Sequence, residues 1–377
     1  MIIQVIGIGF HNMGALLMLQ QIKDHFEGDT NMTIACELTH RNYSHLKHTN
    51  IKPIFPYNIT GSFVSRIYDK LPQRARALLG LISEKDVDIV LDCSGFAYGD
   101  FWGESKLSKR LARHLERWKT QGKQLILLPQ AFGPFSSDSF KAQVNKLIQF
   151  ADLIYVRDRT SFSHLQSVFS QSRNISQSPD FTCLVKQLRA PQTKTGVAIV
   201  PNEKIISSGT ITTSNYIKIL EYVVNKLMLE YNKEVSLILH ETTSDKRIAD
   251  TLSKTLPIKI IQIPNPVELK EALSHFEYII SSRYHAILSA LNSGVPAIVI
   301  GWSHKYNELM TEWGIEALQI DPKELGTEKI DNAIKLLETK QSKQQIETNM
   351  LSVAENNIAK ATDMWCQIDS IINNRKN

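Results

Sequence analysis

Short runs of apolar residues alternate along the chain with longer segments in which apolar residues recur every three or four positions. The short runs predict strands, and the longer segments predict helices packed on a parallel sheet. In the first half, the predicted strands are Ile2–Ile6, Met32–Leu38, Val87–Asp92, Gln124–Pro129 and Leu153–Arg157. The helices predicted between them are Ala15–Phe26, Phe63–Glu84, Ser105–Gln121, Ser139–Phe150 and Ser161–Phe169.

A second series of strands and helices follows a polar segment at residues 187–196, whose sequence QLRAPQTKTG indicates a linker. The predicted strands of this series are Val197–Pro201, Val235–His240, Ile258–Ile263, Tyr278–Ser282, Ala297–Gly301 and Ala317–Ile320. Helices are predicted to begin near Asn215, Ser244, Pro266, Tyr284 and Lys305, with another after Pro322 and a polar helical stretch from Lys343 to Ile372.

This alternation predicts an α/β protein with two Rossmann-like domains that face each other across a cleft. The predicted domains are residues 1–190 and 191–340, followed by a helical tail at residues 341–377. Ligands of such sheets bind at the carboxyl ends of the strands, and paired domains bind them in the cleft.

The composition is that of a globular protein, with 42% hydrophobic and 21% charged residues in a chain of 377. A net charge of +5 without long runs of like charge gives no reason to expect a nucleic-acid partner. The first residues, Met1–Val5, resemble a strand more than a signal peptide, and there is no apolar run of about 18 residues. The four cysteines are scattered, so we expect reduced thiols and a cytoplasmic protein.

The first predicted strand leads into a glycine-containing turn, from Gly7 to Gly14. The third glycine is displaced from the G-x-G-x-x-G pattern of dinucleotide-binding proteins, so a tight structural turn is favoured over a nicotinamide site. The chain also lacks G-x-S-x-G, H-E-x-x-H and Walker A patterns. The lack of these patterns argues against three common classes of enzyme, though not against enzymes in general.

The most informative segment begins at Ser281, where a strand is followed at once by a helix. Ser281 or Ser282 is predicted to cap this helix, which places Arg283 and His285 at its N-terminus. Lys305 follows the next strand, at the same edge of the sheet. Because a helix N-terminus and cationic side chains converge there, we expect an anionic ligand.

Arg157 lies at a similar strand-to-helix junction in the first half, where Thr160 or Ser161 is expected to cap the helix. Its side chain either faces the cleft from the opposite side or pairs with an aspartate of its own domain. Loops at Ser94–Gly95 and Gln130 also follow strands, as does His240, and these loops are expected to line the ligand-binding edge.

A basic segment, Ser105–Lys123, carries an apolar stripe at helical spacing. It predicts a solvated helix that packs through this stripe. The alternative is attraction to an anionic membrane surface that carries a lipid-linked substrate.

At these residues the sequence resembles the polysaccharide pyruvyl transferase family. The strongest element is the S-x-R-x-H pattern at Ser281, Arg283 and His285, with G-x-P at Gly294–Pro296 and a lysine at Lys305. The other similar positions are Arg157-Asp158, Gly133-Pro134, Ser94-Gly95 and Pro179-Asp180. Two loops depart from the family pattern, since Ala15 replaces the acid of N-x-G-D after Asn12 and Ser94–Ala97 is poor in glycine.

The resemblance implies a GT-B-like fold and a reaction in which a pyruvyl group moves from phosphoenolpyruvate to a sugar of a cell-surface or exopolysaccharide precursor, forming a ketal and releasing phosphate. It implies that Arg283, Lys305, Ser282 and the helix N-terminus bind donor phosphate, and that Arg157 binds the donor carboxylate or phosphate. His285 is the implied general acid/base, because an unperturbed imidazole titrates near neutrality. The acceptor is expected to contact Asn12, Ser94, Gly95, Gln130 and His240. With phosphoenolpyruvate as co-substrate, the implied reaction requires neither a metal ion nor a cofactor.

Two other functions remain open from the residues alone. One is a GT-B glycosyltransferase that uses a nucleotide sugar, and the other is a non-catalytic relative that binds a glycan. The acceptor of a transferase would be a sugar or a lipid-linked oligosaccharide, and a lipid-linked acceptor would bring the protein to the cytoplasmic face of the membrane. The sequence leaves the oligomeric state undetermined.

Overall fold

The structure is a computed structural model that describes residues 1–39, 42, 46, 49–55, 67–169, 172–186, 193–241, 244–323 and 327–376. Residues 187–192 of the predicted linker, and with them the boundary predicted between residues 190 and 191, lie outside this set.

Strands and helices alternate through the described residues, as the hydrophobic pattern predicts. The strands are β1 (Ile2–Ile6), β2 (Thr33–Glu37), β3 (Lys52–Ile54), β4 (Ile89–Asp92), β5 (Phe96–Tyr98), β6 (Gln124–Phe132), β7 (Leu153–Val156), β8 (Ile175–Gln177), β9 (Val197–Val200), β10 (Val235–Leu239), β11 (Lys259–Gln262), β12 (Tyr278–Ser281), β13 (Ala297–Ile300) and β14 (Gln319–Ile320). The α-helices are α1 (Met13–His25), α2 (Gln73–Leu78), α3 (Glu104–Leu107), α4 (Leu115–Thr120), α5 (Asp138–Phe150), α6 (Arg159–Val168), α7 (Lys204–Ser207), α8 (Thr213–Leu229), α9 (Lys246–Leu252), α10 (Pro266–Ser274), α11 (Tyr284–Asn292), α12 (His304–Glu312), α13 (Thr327–Glu338) and α14 (Lys340–Lys376).

The strands form two parallel sheets. The first has the order β3-β2-β1-β4-β6-β7-β8, with β5 beside β6, and the second has the order β11-β10-β9-β12-β13-β14. The chain order reverses between β1 and β4 in the first sheet, and between β9 and β12 in the second. Such a reversal opens a crevice at the carboxyl ends of the strands, where ligands of Rossmann-like sheets bind. The prediction of two Rossmann-like sheets and a C-terminal helix is therefore confirmed.

The described chain divides into two compact units. Unit 1 comprises residues 1–10, 18–180 and 364–377, and unit 2 comprises residues 11–17 and 181–363. The chain passes from unit 1 to unit 2 between Asp180 and Phe181. The first turn of α1 groups with unit 2, and α14 divides between the units at Asp363 and Met364.

Each sheet has its own hydrophobic core. Every residue of β4 in unit 1 and of β9 in unit 2 is buried, because helices cover both faces of a parallel sheet. In unit 2 the largest fully buried side chain is that of Trp313, and in unit 1 the aromatic rings of Tyr98 and Phe132 are fully buried. The continuous apolar runs in the sequence follow from this burial.

Two sequence-based predictions about helices are wrong. The single helix predicted at Phe63–Glu84 contains α2 and the start of a 3-10 turn at Glu84–Asp86, while residues 63–66 lie outside the described chain. The basic segment predicted as one helix consists of α3, a π turn at Ser108–Ala112 and α4. A π turn inserts an extra residue into the helical register and frequently accompanies a functional site.

Two cations of the basic segment point inward, contrary to the solvated face that the spacing predicted. Lys123 is buried and donates hydrogen bonds to the carbonyl oxygens of Glu84 and Val87. Arg117 donates to Oε1 of Glu84 at 2.6 Å. Within the described chain, no helix is both long and apolar enough to cross a bilayer.

The C-terminal part of α14 packs on α1 through a cluster of rings in unit 1. Trp365 is 3% exposed, and its ring stacks on His25 with 4.0 Å between centroids. The edge of Phe26 completes the contact, with 5.9 Å between the Phe26 and Trp365 centroids. His25 Nε2 also lies 2.9 Å from Asp369 Oδ1.

We predict that Trp365→Ala destabilises unit 1 by about 3–5 kcal/mol, because it removes a large buried side chain and leaves a cavity. Chemical unfolding followed by circular dichroism measures the change. The control is Ile358→Ala on the same helix, where a side chain that is 44% exposed should contribute less than about 0.5 kcal/mol. Equal stability of the Trp365→Ala variant and the wild type would contradict this account of the helix.

Candidate functional site

Asn202 and Ser282 join the strand ends at the point where the second sheet reverses its order. Asn202, which follows β9, donates from Nδ2 to the carbonyl oxygen of Ser282 at 2.7 Å. The Tyr306 hydroxyl donates to the same carbonyl at 2.7 Å, and the Tyr216 hydroxyl lies 3.1 Å from Ser282 Oγ. Ser282 is fully buried beneath the carboxyl edge of the sheet, and its hydroxyl is bonded to Tyr216 within the protein.

Arg283 lies between two carboxylates from the segment that follows β10. Its Nε donates to Asp245 Oδ2 at 3.0 Å, its Nη2 donates to Asp245 Oδ1, and Nη2 lies 2.8 Å from Glu241 Oε2. Burial opposes the charged form of Arg283, but the two carboxylates outweigh it and raise the pKa of the guanidinium. The Asp245 carboxylate is fully buried, whereas the Glu241 side chain is 32% exposed.

Helix α11 begins at Tyr284, and its N-cap residue is Arg283. The prediction that Ser281 or Ser282 caps this helix is therefore wrong, and the Arg283 side chain makes no cap hydrogen bond. Instead, the Ser281 hydroxyl accepts from the Arg283 N–H at 2.9 Å and donates to the carbonyl of Val200 at 3.1 Å. The first turn of α11 thus presents backbone N–H groups at the carboxyl edge of the sheet, where they favour an anion.

His285 packs against the first turn of α1. A Cβ atom built on Gly14 would overlap the His285 imidazole and would lie only 2.8 Å from the His285 Cβ. Asn12 Oδ1 accepts from the N–H groups of Gly14 at 2.9 Å and Ala15 at 3.3 Å, which fixes this turn. The glycine at position 14 is therefore required by the close approach of the imidazole.

His240 lies beside the same residues, after β10. Burial, together with the neighbouring Arg283 and His285, holds the pKa of His240 well below its usual value, so the ring is neutral. His240 is 5% exposed, and its Nδ1 atom has no hydrogen-bond partner among the described residues. The structure thus places this predicted acceptor-binding residue with the predicted donor-binding residues of unit 2.

Lys305 follows β13 and lies among aromatic rings. Its Nζ atom is 4.9 Å from the centroid of Trp302, 5.1 Å from that of Tyr306 and 5.5 Å from that of Tyr284. The faces of such rings attract an ammonium group and limit the positions that it samples. The three rings therefore orient the Lys305 ammonium group, although none of them carries a negative charge.

Unit 1 has a polar cluster at the corresponding reversal of its sheet. Asp92, the last residue of β4, is fully buried and accepts hydrogen bonds from Ser94, from the Tyr98 hydroxyl at 2.7 Å and from Gln130 Nε2 at 3.3 Å. Arg110, from the π turn, donates to Ser94 Oγ at 2.7 Å. Burial raises the pKa of Asp92, although the Arg110 charge and these hydrogen bonds oppose the rise.

Gly7 and Ser94 lie on either side of this reversal, after β1 and β4. A Cβ atom on Gly7 would lie 2.7 Å from the Ser94 nitrogen, and Gly7 has a φ of +89°, which other residues rarely adopt. The close approach of the Ser94 backbone and the positive φ together explain why position 7 is a glycine. Gly95, which comes next, also has positive φ, at +68°.

Arg157 pairs within its own unit. Its Nη1 lies 3.5 Å from Asp180 Oδ2, and both side chains are almost fully buried. Asp158, and not Thr160 or Ser161, caps α6 by accepting the Ser161 N–H at 2.7 Å. The Ser161 hydroxyl instead accepts the Phe132 N–H at 2.8 Å.

The predicted site residues therefore group by unit. Unit 2 holds Asn12, His240, Ser282, Arg283, His285 and Lys305, and unit 1 holds Ser94, Gly95, Gln130 and Arg157. Sequence reasoning missed Asn202, Tyr216 and Glu241. The position of Asn202 directly after a buried strand was an available signal, whereas the partners Tyr216 and Glu241 depend on folding of distant segments.

The described residues contain no group of three or more His, Cys, Asp or Glu side chains placed to hold a metal ion.

The comparisons with solved structures concern the fold. The chain is similar to a putative UDP-N-acetylglucosamine 2-epimerase from Listeria monocytogenes, with 14% identity, a TM-score of 0.61 and coverage of 98% of this chain and 96% of that one. It is also similar to HepE from Anabaena in complex with UDP, with 13% identity, a TM-score of 0.60 and 99% coverage of both chains. A third similar structure is the complex of S. aureus MnaA with UDP, with 14% identity, a TM-score of 0.58 and coverage of 99% and 96%.

Sequence comparison identifies the family. The amylovoran biosynthesis protein AmsJ of Erwinia amylovora is 20% identical over 269 residues, which are 64% of this chain and 63% of the length of AmsJ. The pattern of the family described as polysaccharide pyruvyl transferase matches residues 12–304, from the turn at Asn12 through the Arg283 and His285 motif to the start of α12. This chain therefore belongs to the polysaccharide pyruvyl transferase family.

Proposed function

We propose that this protein transfers a pyruvyl group from phosphoenolpyruvate to a sugar of a polysaccharide precursor, forming a cyclic ketal and releasing phosphate. The observation that carries the proposal is the turn between β12 and α11, within the family match. There the first turn of a helix, a buried arginine and a histidine lie together at the carboxyl edge of a parallel sheet. Such a turn suits the phosphate and carboxylate of the donor.

The reaction needs two hydroxyl groups of the acceptor. The first adds to C2 of phosphoenolpyruvate while C3 gains a proton, which forms one C–O bond and consumes the double bond. The second hydroxyl then displaces phosphate at C2, so that a second C–O bond forms and the bond from C2 to the phosphate oxygen breaks. The two hydroxyl protons go in net to C3 and to the released phosphate.

His285 is the proposed proton-transfer residue. It is the second residue of α11, and the Gly14 turn fixes the position of its imidazole. Neutral His240 lies beside Arg283 and His285, and its buried Nδ1 atom has no hydrogen-bond partner among the residues that the structure describes. We assign to it a hydrogen bond with the donor.

Lys305 is the proposed phosphate ligand. Because aromatic rings surround its ammonium group, binding to a phosphate requires little reordering of the side chain. Arg157, the residue predicted from the sequence to bind the donor carboxylate or phosphate, lies in unit 1, where it pairs with Asp180.

Arg283 does not act as an isolated cation, because Asp245 and Glu241 already bind its guanidinium group. Asp245 is buried and holds Nε and Nη2, so this pair is expected to persist when donor binds. Glu241 is partly exposed and bonds to the same Nη2. We propose that donor phosphate replaces Glu241 at this guanidinium.

The competing function is a glycosyltransferase that uses a nucleotide sugar. Thermal-shift measurements with phosphoenolpyruvate, UDP and UDP-sugars discriminate the two, because a ligand that binds the folded state raises the melting temperature. Stabilisation by phosphoenolpyruvate supports pyruvyl transfer. Stabilisation by the nucleotides alone would contradict it.

His285→Ala is expected to lower the rate of phosphate release from phosphoenolpyruvate by about 10²-fold or more, because general acid–base catalysis contributes that much. Phosphate is measured with a panel of saccharides, using an acceptor that supports turnover by the wild type. The control is His275→Ala, since His275 is an exposed histidine of unit 2. Full activity of the His285→Ala variant would remove His285 from the chemistry.

Gly14→Ala is expected to reduce kcat by roughly 10²-fold, because the added methyl group displaces the imidazole by about an ångström. The thermal shift with phosphoenolpyruvate tests whether the donor site remains folded. In a His285→Ala background the same substitution should have no further effect on kcat, since the two residues act through one contact. An additive loss in the double variant would show that Gly14 acts elsewhere.

Glu241→Gln is expected to lower the KM for phosphoenolpyruvate by about two- to five-fold, because it removes a partly exposed carboxylate that competes with the donor for Arg283. Steady-state phosphate release measures KM, and Glu268→Gln, at an exposed position on α10, is the control. An increase in KM for the Glu241→Gln variant would mean that Glu241 helps to hold Arg283 in place for the donor.

A further inference from the structure

We infer that unit 1 contains a subsite for an acidic sugar ring, formed by the aromatic residues after β4 and the cations of the adjacent basic segment. This inference rests on the proposed function, because the sugar is taken to be part of the pyruvyl acceptor. It goes beyond that function by assigning the acceptor a negative charge and a binding surface. The residues are Phe96, Phe101, Trp102, Lys106 and Arg110.

The aromatic part of the subsite is a cluster of three rings in the β4–α3 segment. Phe101 is 46% exposed, and its centroid lies 6.2 Å from that of Phe96 and 4.9 Å from that of Trp102. The Phe96 and Phe101 rings are tilted by only 24° from each other, whereas Trp102 meets Phe101 at 86°. Sugar rings carry faces of C–H groups that pack on exposed aromatic faces, and such rigid rings lose little conformational freedom on binding.

Two cations flank these rings. Lys106 Nζ lies 3.6 Å from the centroid of Trp102, and Arg110 Nη1 donates to Ser94 Oγ at 2.7 Å. Both side chains are partly exposed, and their spacing of four residues brings them to one side of the segment. The π turn between Ser108 and Ala112 presents Arg110 to the end of β4.

A buried network of polar side chains lies next to the cations. Asp92, Tyr98 and Gln130 are fully buried and joined by hydrogen bonds, and Ser94 connects this network to Arg110. Gln130 Oε1 has no donor among the described residues. The cluster lies where the first sheet reverses its order, which is where a Rossmann-like sheet binds its ligand.

The charge of the segment indicates the class of sugar. Residues 105–113 contain four cations, Lys106, Lys109, Arg110 and Arg113, and two carboxylates, Asp100 and Glu104, come just before them. The Asp92 carboxylate is fully buried, and the carboxylates of Asp100 and Glu104 accept hydrogen bonds from Ser136, Ser137 and Ser139. An acceptor that carries a carboxylate or a phosphate complements this charge better than a neutral sugar does.

The test is saturation-transfer NMR on the full chain with three probes of each ring configuration, gluco and galacto: the neutral sugar, its uronic acid and its 1-phosphate. We expect an acidic probe to bind more tightly than the matching neutral sugar. Phe101→Ala and Lys106→Gln should each weaken that binding by at least about five-fold. The matched controls are Leu229→Ala, at a side chain that is 81% exposed in unit 2, and Lys119→Gln, at an exposed lysine of the same basic segment.

Binding that is equally strong in the Phe101→Ala variant, or no binding of any probe to the wild type, would overturn the subsite. Equal binding of neutral and acidic probes, with no effect of Lys106→Gln, would overturn the assigned charge. Preference for the uronic acid indicates an acidic residue of the glycan, and preference for the 1-phosphate indicates the phosphate at a lipid-linked end. The thermal shift with phosphoenolpyruvate separates the two proposals, since a wild type that binds acidic sugar but not phosphoenolpyruvate contradicts only the proposed function.

Discussion

The carboxylate of Asp245 is the interaction on which the site in unit 2 depends, because it connects the ends of three strands. It accepts the Glu203 N–H after β9 at 3.0 Å and the Glu241 N–H after β10 at 3.1 Å, and it pairs with Arg283 after β12. A buried ion pair of this kind adds little net stability over an apolar replacement, because desolvation offsets the attraction. Loss of one partner is costly, at about 3–5 kcal/mol, since it leaves a buried charge alone. The pair therefore determines geometry more than stability.

The geometry that it fixes is the start of α11. With Arg283 held as the N-cap residue, the next two positions direct Tyr284 towards Lys305 and His285 towards Gly14. A residue with a side chain at position 14 would displace the imidazole, so the first loop of the chain and a motif about 270 residues later constrain each other. The beginning of the family match at residue 12 fits this dependence, because it includes that turn.

Local patterns in the sequence predicted the fold and the position of the motif at Arg283 and His285. They did not predict which residues contact that motif. The buried runs predict β1, β4 and β12 to within two residues, because both faces of these strands are covered. The three-residue strands β3, β5 and β8 have too few residues for an apolar pattern to identify them.

The predicted cap residues were wrong, because Ser281 and Ser161 form hydrogen bonds to other backbone groups that lie close only after folding. The pairing of Arg283 with two carboxylates could not be predicted from the local sequence either, because Glu241 and Asp245 lie about 40 residues away along the chain.

Each sheet has a buried carboxylate near the reversal of its strand order, Asp92 at the end of β4 and Asp245 after β10, but their electrostatic surroundings differ. Asp245 pairs directly with the guanidinium of Arg283, the N-cap residue of α11, which also pairs with Glu241. Asp92 is bonded by neutral groups from Ser94, Tyr98 and Gln130, and Arg110 reaches it through Ser94. Burial raises the pKa of both carboxylates, and in each case an arginine opposes the rise, Arg283 for Asp245 and Arg110 for Asp92. The two reversals thus present different groups, a guanidinium paired with carboxylates in unit 2 and a hydrogen-bonded network beside aromatic rings and cations in unit 1.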